Sequence, residues 1–214
     1  MERLLLSRHA ESLYNTRGLI NADPTKTTSP LTEQGCEQAR ALGLSLADTP
    51  LNLCVTSGAL RAVETAEIAL AGRNVPCVKL SLLNDPPAGN FEDGPVAAFA
   101  EWMRENANAI VPGTNASVAA SAQRFFDAAR FLLAREEEVV LVVAHAPVLR
   151  WLHQVATGTQ GRLDYQTPLF EFARPFEVSV DALTAGVHDV AHDPAVVFLA
   201  DTPRSHRGVL KHRT

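Results

Sequence analysis

Leu4-Leu5-Leu6-Ser7-Arg8-His9-Ala10-Glu11-Ser12 is an apolar run that stops abruptly at a cation and an imidazole. A short apolar run closing on polar residues reads as a buried parallel strand. Its C-terminal end opens into the crevice where open α/β sheets bind ligands. A second run, Val139-Val140-Leu141-Val142-Val143-Ala144, ends in the same way at His145. Two imidazoles are therefore expected at one edge of one sheet.

Outward from these runs, strands and helices alternate. Arg3 to Ser7 reads as the first strand, followed by a helical turn at Glu11 to Asn15 and a polar loop to Pro30. Thr32 reads as a helix N-cap, with Cys36, Ala39, Leu42 and Leu46 at helical spacing behind it. Leu51 to Ser57 is a second strand. From Ala59 a helix is expected to turn Leu60, Val63, Ala66 and Leu70 inward, before Gly72 stops it. Val75 to Leu80 is a third strand, and the Pro- and Gly-rich Leu83 to Gly94 an ordered loop over the mouth of the sheet. Helices are expected at Val96 to Asn106, about Ser117 to Arg135, and Ala146 to Thr157. Phe170, Phe172, Phe176, Val178 and Val180 alternate in part and read, with Ala195 to Leu199, as closing strands. The pattern predicts a three-layer α/β/α sandwich with a largely parallel central sheet and both signature strands central. One domain over 1–203 is expected, with a basic tail, 204–214, that holds four Arg or Lys and no acid.

Composition narrows the function. The 214 residues, 46% of them hydrophobic, suffice for one sizeable core, and the net charge of −5 argues against nonspecific nucleic-acid binding. Cys36, Cys54 and Cys77 have no C-x-x-C spacing, and Cys54 and Cys77 lie in expected strands, so buried free thiols and a cytoplasmic setting are inferred. No apolar run is long enough to span a bilayer, so no membrane partner is expected.

Arg8-His9-Ala10-Glu11-Ser12 with Asn15, then Ser29-Pro30-Leu31-Thr32, Gly35 and Gln38-Ala39, resembles the opening signature of the histidine phosphatase superfamily. The resemblance continues at Val55-Thr56-Ser57-Gly58-Ala59-Leu60-Arg61-Ala62 with Thr65-Ala66, and at Val142-Val143-Ala144-His145-Ala146 through Arg150. It implies the phosphoglycerate-mutase-like fold and a phosphohistidine formed on His9. His145 would be cationic when phosphate is bound, and Asn15 a phosphate contact. Members similar to this chain show Leu-x-Glu, then Gly, an aromatic residue and Glu-Gly. Leu83-Asn84-Asp85, Gly89, Phe91 and Glu92 fit that register, so Asp85 takes the place of the acid, with Glu92 as its alternative. Ala10 and Ala146 stand where the family often has Gly, and Gly113-Thr114-Asn115-Ala116-Ser117 where many relatives carry Gly-Glu-Ser.

The residue types suit phosphoryl transfer on their own terms. The reaction needs an in-line nucleophile and positive charge around the equatorial oxygens. Arg8 and Arg61 are permanently charged planar forks that can each bind two phosphate oxygens, so no metal and no cofactor are expected. Each residue alone also has a plain reading: a surface ion pair for the arginines, a satisfied loop position for the histidines, a cap or turn for Asn15.

Rival chemistries lack their spacing. Six residues separate Cys54 from Arg61 where C-x5-R needs five, no D-x-D is present, and Ser57 lacks the G-x-S-x-G elbow. His188 and His192 have metal-ligand spacing beside Asp189 and Asp193, but with no third ligand a solvated acidic loop is expected there. The reading that follows is a metal-independent phosphatase of a small phosphorylated metabolite. A phosphomutase of the same family and a catalytically weak phosphoryl-binding or scaffold protein remain alternatives, and the sequence leaves the oligomeric state open.

Overall fold

The computed structural model describes residues 1–25, 29–106, 108–158 and 170–192. β1 (Arg3–Arg8), β2 (Leu53–Thr56), β3 (Cys77–Lys79), β4 (Val139–Ala144) and β5 (Pro175–Val178) form one sheet in the order β3-β2-β4-β1-β5. The first four strands run parallel, and β5 lies antiparallel on β1. The two apolar runs are thus adjacent central strands, in a register that opposes Arg8 to Ala144. That pairing sets His9 and His145 side by side one residue beyond the sheet.

The period of two explains the layers. Leu4, Leu6, Val140 and Val142 point to one face and pack with α5 (Ala120–Leu133), α6 (Ala146–Thr157) and α7 (Val180–His192). Leu5, Leu141 and Val143 point to the other, against α2 (Glu33–Ser45) and α3 (Leu60–Ala69). A strand buried on both faces must be apolar at every position, which is why both runs are unbroken. This is the expected α/β/α sandwich. α1 (Leu13–Arg17) follows β1, and α4 (Val96–Asn106) builds a third, smaller cluster in which Phe99 and Met103 pack with Ile20, Ala88 and Val111. No helix among the described residues is long and apolar enough to cross a membrane.

Several expectations need correction. α3 turns Ala66 and the following Leu70 inward as anticipated, but Leu60 and Val63 stay half-buried while Arg61, Ala62, Thr65 and Ala69 are buried in their place, so the first turns are rotated by about one residue from the expectation. Small side chains win because α2 and α3 touch backbone to backbone: a Cβ on Gly43 would stand 2.3 Å from the Ala69 carbonyl oxygen. The rotation also aims Arg61 at the sheet end. β3 is an edge strand with all three residues exposed, so Cys77 is exposed, whereas Cys54 is buried and Cys36 half-buried. The alternation after Phe170 yields only β5. Val180 opens α7, whose Leu183, Val187 and Val190 face the core at helical spacing, and His188 and His192 lie on that helix rather than in a loop. His188 is exposed beside Asp189, and no group of three or more potential metal ligands occurs among the described residues. The apolar run 195–199 and the basic tail lie outside the described residues.

Candidate active site

β1 and β4 deliver the two histidines, the start of α3 delivers Arg61, and the loop after β3 delivers Asp85. Arg61 is the hub. Its Nε donates to His9 Nε2 at 3.0 Å, Nη1 to Asn21 Oδ1 at 3.0 Å, and Nη2 to Asp85 Oδ2 at 2.7 Å and His145 Nδ1 at 3.0 Å. The rings of His9 and His145 lie edge to face with centroids 5.2 Å apart. All four side chains are largely buried; Asp85, the most open, is 19% exposed.

The donors around each ring fix its tautomer. His9 Nδ1 lies 2.7 Å from the Ala10 carbonyl oxygen, so it carries the proton, and Nε2, which accepts from Arg61, keeps its lone pair. His145 Nε2 lies 2.8 Å from Ser57 Oγ and donates to it, while Nδ1 accepts from Arg61 and stands 3.1 Å from Asp85 Oδ2. Burial, reinforced by the nearby arginines, pushes both imidazoles well below 6.5, so both are neutral. Burial also raises the Asp85 carboxyl above its ordinary value, against the downward pull of Arg61, Arg8 and Arg124.

Arg8 lies with its guanidinium 4.0 Å from the centroid of the Phe172 ring, which in turn flanks His9. Its Nη1 reaches the Phe170 carbonyl at 3.5 Å, and its buried Nε has no hydrogen-bond partner among the described residues. Burial lowers its pKa to about 10, so it stays charged at neutral pH. A buried cation with an unused donor is a ready acceptor for an oxyanion.

Two residues anticipated for the site do other work. Asn15 Oδ1 accepts from Ser12 N at 3.0 Å and Ser12 Oγ at 2.9 Å, capping α1. Glu92 Oε1 accepts from Ala22 N at 2.7 Å and Asp23 N at 3.1 Å, holding the loop that presents Asn21 to Arg61. Of the two acids, Asp85 is the one within the cluster.

Other contributors had no role assigned from the sequence, although Thr65 and Ser57 stand in the quoted motif. Thr65 Oγ1 accepts from Ala10 N at 2.9 Å and donates to Arg61 O at 2.6 Å, fastening the His9 loop to α3. Arg124 donates to the carbonyls of Asn84 and Asp85 at 2.7 and 2.9 Å and so fixes the loop that carries the acid. Ser57, His145 and Asp85 also make a serine-hydrolase-like chain of contacts. However, Ser57 is fully buried, and its Oγ already receives the Ala59 N–H at 3.4 Å and the His145 proton.

A cluster of two arginines and two neutral histidines, at the carboxyl ends of parallel strands in an α/β/α sandwich, suits a class of phosphoryl-handling proteins. The chain belongs to the histidine phosphatase superfamily, branch 1, whose family model matches residues 4–169. It is 30% identical to an adenosylcobalamin/alpha-ribazole phosphatase of Escherichia coli over 70% of this chain and 76% of that one. It is 33% identical to the Salmonella typhimurium protein of that name, over 50% of this chain and 56% of the relative. A probable 2-carboxy-D-arabinitol-1-phosphatase of Arabidopsis thaliana is 30% identical over 73% of this chain but only 34% of its own, so the chain spans between a third and about half of these last two relatives. Proteins named 2,3-bisphosphoglycerate-dependent phosphoglycerate mutase also match. Among solved structures, Bacillus stearothermophilus YhfR superposes with a TM-score of 0.69 at 26% identity, covering 83% of this chain and 90% of the other.

Proposed function

We propose that the protein is a metal-independent phosphatase that hydrolyses a small phosphomonoester through a phosphohistidine on His9. The observation that carries this reading is the tautomer of His9: with Nδ1–H held by the Ala10 carbonyl, the lone pair of Nε2 points into a site walled by Arg61 and Arg8.

An entering phosphoryl group takes over from the imidazole and carboxylate as acceptor of the Arg61 N–H groups, and Arg8 supplies a second fork from the Phe172 side. His9 Nε2 forms a bond to phosphorus as the bond to the ester oxygen breaks. Asp85, whose hold on a proton is strengthened by burial, gives a proton to the departing oxygen in its protonated form, so an alcohol leaves instead of an alkoxide. Water then attacks the phosphohistidine, Asp85 takes the water proton, and phosphate and free His9 are released. His145, beside the phosphate and anchored by Ser57, can bind a proton once a dianion offsets the surrounding cations, and then adds a third positive charge.

Trapping with a labelled phosphomonoester in an alkaline detergent quench tests the reading. A base-stable, acid-labile label on the wild-type chain that is absent from His9→Ala is expected; turnover by His9→Ala within a few-fold of wild type overturns it. Activity is expected to survive a chelator and to fall with vanadate. Phosphatase-named and mutase-named relatives occur together, and release of free phosphate with water as acceptor separates the two outcomes.

A further inference from the structure

The Asp85 carboxyl faces two ways. One side meets Arg61 and His145; the other lines a cavity of about 590 Å³, within the usual range for small-molecule sites. Under the phosphatase reading, on which this inference rests, the leaving oxygen sits at Asp85, so this cavity receives the rest of the ester.

Among the described residues the cavity offers an anion no uncommitted cation. Its walls carry Asp23, Asp85 and Glu92 and, among the described residues, one cation, Arg124. That cation is committed: Nη1 donates to the carbonyls of Ser81, Leu82 and Asn84 at 3.3, 3.0 and 2.7 Å, and Nη2 to that of Asp85 at 2.9 Å. The first turn of α5 also borders the cavity, and a helix start commonly binds anions through its N–H groups. Here those groups are taken: Ala120 N donates to Ser117 Oγ at 3.1 Å, Ser121 N to Val118 O and Ala122 N to Ala119 O, both at 3.0 Å.

The acids are occupied as well. Glu92 Oε1 receives the Ala22 and Asp23 amides, and Asp23 Oδ1 receives the Thr25 amide and hydroxyl at 2.9 and 2.6 Å. Each acid has one oxygen engaged in this way and keeps its negative charge. The remaining walls mix apolar groups, among them Pro24, Pro87, Ala88 and Ala116, with the neutral polar side chains of Ser81, Asn84, Thr114 and Ser121. The geometry points to a phosphomonoester of an alcohol that carries no negative charge as the substrate class, with esters carrying a carboxylate or a second phosphate on the leaving group rejected by like charge.

Glycerol 3-phosphate, 3-phosphoglycerate and O-phosphoethanolamine share a primary phosphate ester and differ in the charge of the leaving group. With p-nitrophenyl phosphate as the general reporter of turnover, kcat/KM for glycerol 3-phosphate is expected to exceed that for 3-phosphoglycerate by at least about tenfold. That for O-phosphoethanolamine, whose leaving group is cationic, is also expected to exceed that for 3-phosphoglycerate. In Ala120→Lys, which sets a cation at the rim, the ratio of 3-phosphoglycerate to glycerol 3-phosphate should rise severalfold. The inference is overturned if 3-phosphoglycerate equals or beats either of the other two esters, if p-nitrophenyl phosphate is turned over but glycerol 3-phosphate is not, or if Ala120→Lys leaves the ratio unchanged. No turnover of any ester, p-nitrophenyl phosphate included, overturns the phosphatase reading itself and this inference with it.

Discussion

The molecule contains the same guanidinium–carboxylate pair in two settings. Arg3 and Glu177 meet at 2.8 Å across β1 and β5, with side chains 42% and 47% exposed. Arg61 and Asp85 meet at 2.7 Å at the sheet end, with 6% and 19% exposed. On the surface the hydrogen bond and charge of Arg3 hold Glu177 below its ordinary value. In the cluster the carboxyl is raised despite a partner just as close, because burial penalises the ion more than Arg61 stabilises it. Contact distance thus says little about what an ion pair does. Water, or its exclusion, decides whether the acid is a spent anion or a proton donor.

Substitutions that push this contrast to its limit should have the largest effects. His9→Ala removes the proposed nucleophile inside the dry cluster and is expected to lower kcat by at least about 10³-fold, whereas Arg3→Ala should leave kcat within about twofold, in steady-state assays of both. Comparable losses in the two variants would erase the functional distinction between the sites.

Asp85→Asn tests the proton itself. For an alkyl phosphate kcat should fall by about 10²–10⁴-fold, and for p-nitrophenyl phosphate, whose leaving group needs no proton, far less. Glu92→Gln should give a smaller loss that does not depend on the leaving group, since Glu92 holds the backbone of 22–23. A leaving-group-dependent loss in Glu92→Gln alone would transfer the acid's role to Glu92.

The pH profile sharpens the same point. A donor must hold its proton, so kcat for an alkyl ester should decline as pH rises through the raised pKa of Asp85, and this limb should vanish in Asp85→Asn. The free enzyme needs His9 unprotonated; with its pKa lowered, the acid limb of kcat/KM should lie below 6.5. A limb that persists unchanged in Asp85→Asn would show that another group titrates.

At the exposed pair the effect should be smallest. The folded pKa of Glu177 is depressed, so its contribution is present above the ordinary 4.5 and is lost as pH falls through the folded value. Glu177→Gln should lower Tm slightly at pH 7 and match wild type in acid; a large drop at pH 7 would mean that solvent exposure does not set the scale.

Most of this contrast was legible in the sequence, but unevenly. The apolar runs ending at His9 and His145 announced the sheet, its parallel sense and the meeting of two imidazoles, because full burial leaves a compositional mark that lateral contacts do not erase. Arg61 and Asp85 came into view through the motifs around them. On α3, Ala66 and Leu70 turn inward as expected, but Leu60 and Val63 were misjudged because the backbone approach at Gly43 favours small residues such as Ala62 and Ala69, a tertiary demand that helical periodicity does not record. The strand-like spacing of Phe170, Phe172 and Phe176 masked the onset of α7. Asn15 and Glu92 are polar groups whose partners, Ser12 and the 22–23 amides, depend on how loops close. Thr65 stood in the motif without a role, because its contacts, like those of Arg124, run to backbone atoms that residue identity does not reveal.

The Nε–H of Arg8, which has no partner among the described residues, links the protein to its medium. A fold that keeps an unused cationic donor in its interior is completed by any oxyanion that fits, and mass action then ties the folded population to the anion concentration. At a free concentration of about a hundred times Kd, the added stability is roughly 2.7 kcal/mol. Melting temperature should therefore climb with phosphate, vanadate or tungstate and stay flat with chloride of equal ionic strength. Because this response depends on binding alone, it would persist in a chain that has lost all turnover, so thermal denaturation in a series of buffers reads the occupancy of the cluster independently of any reaction.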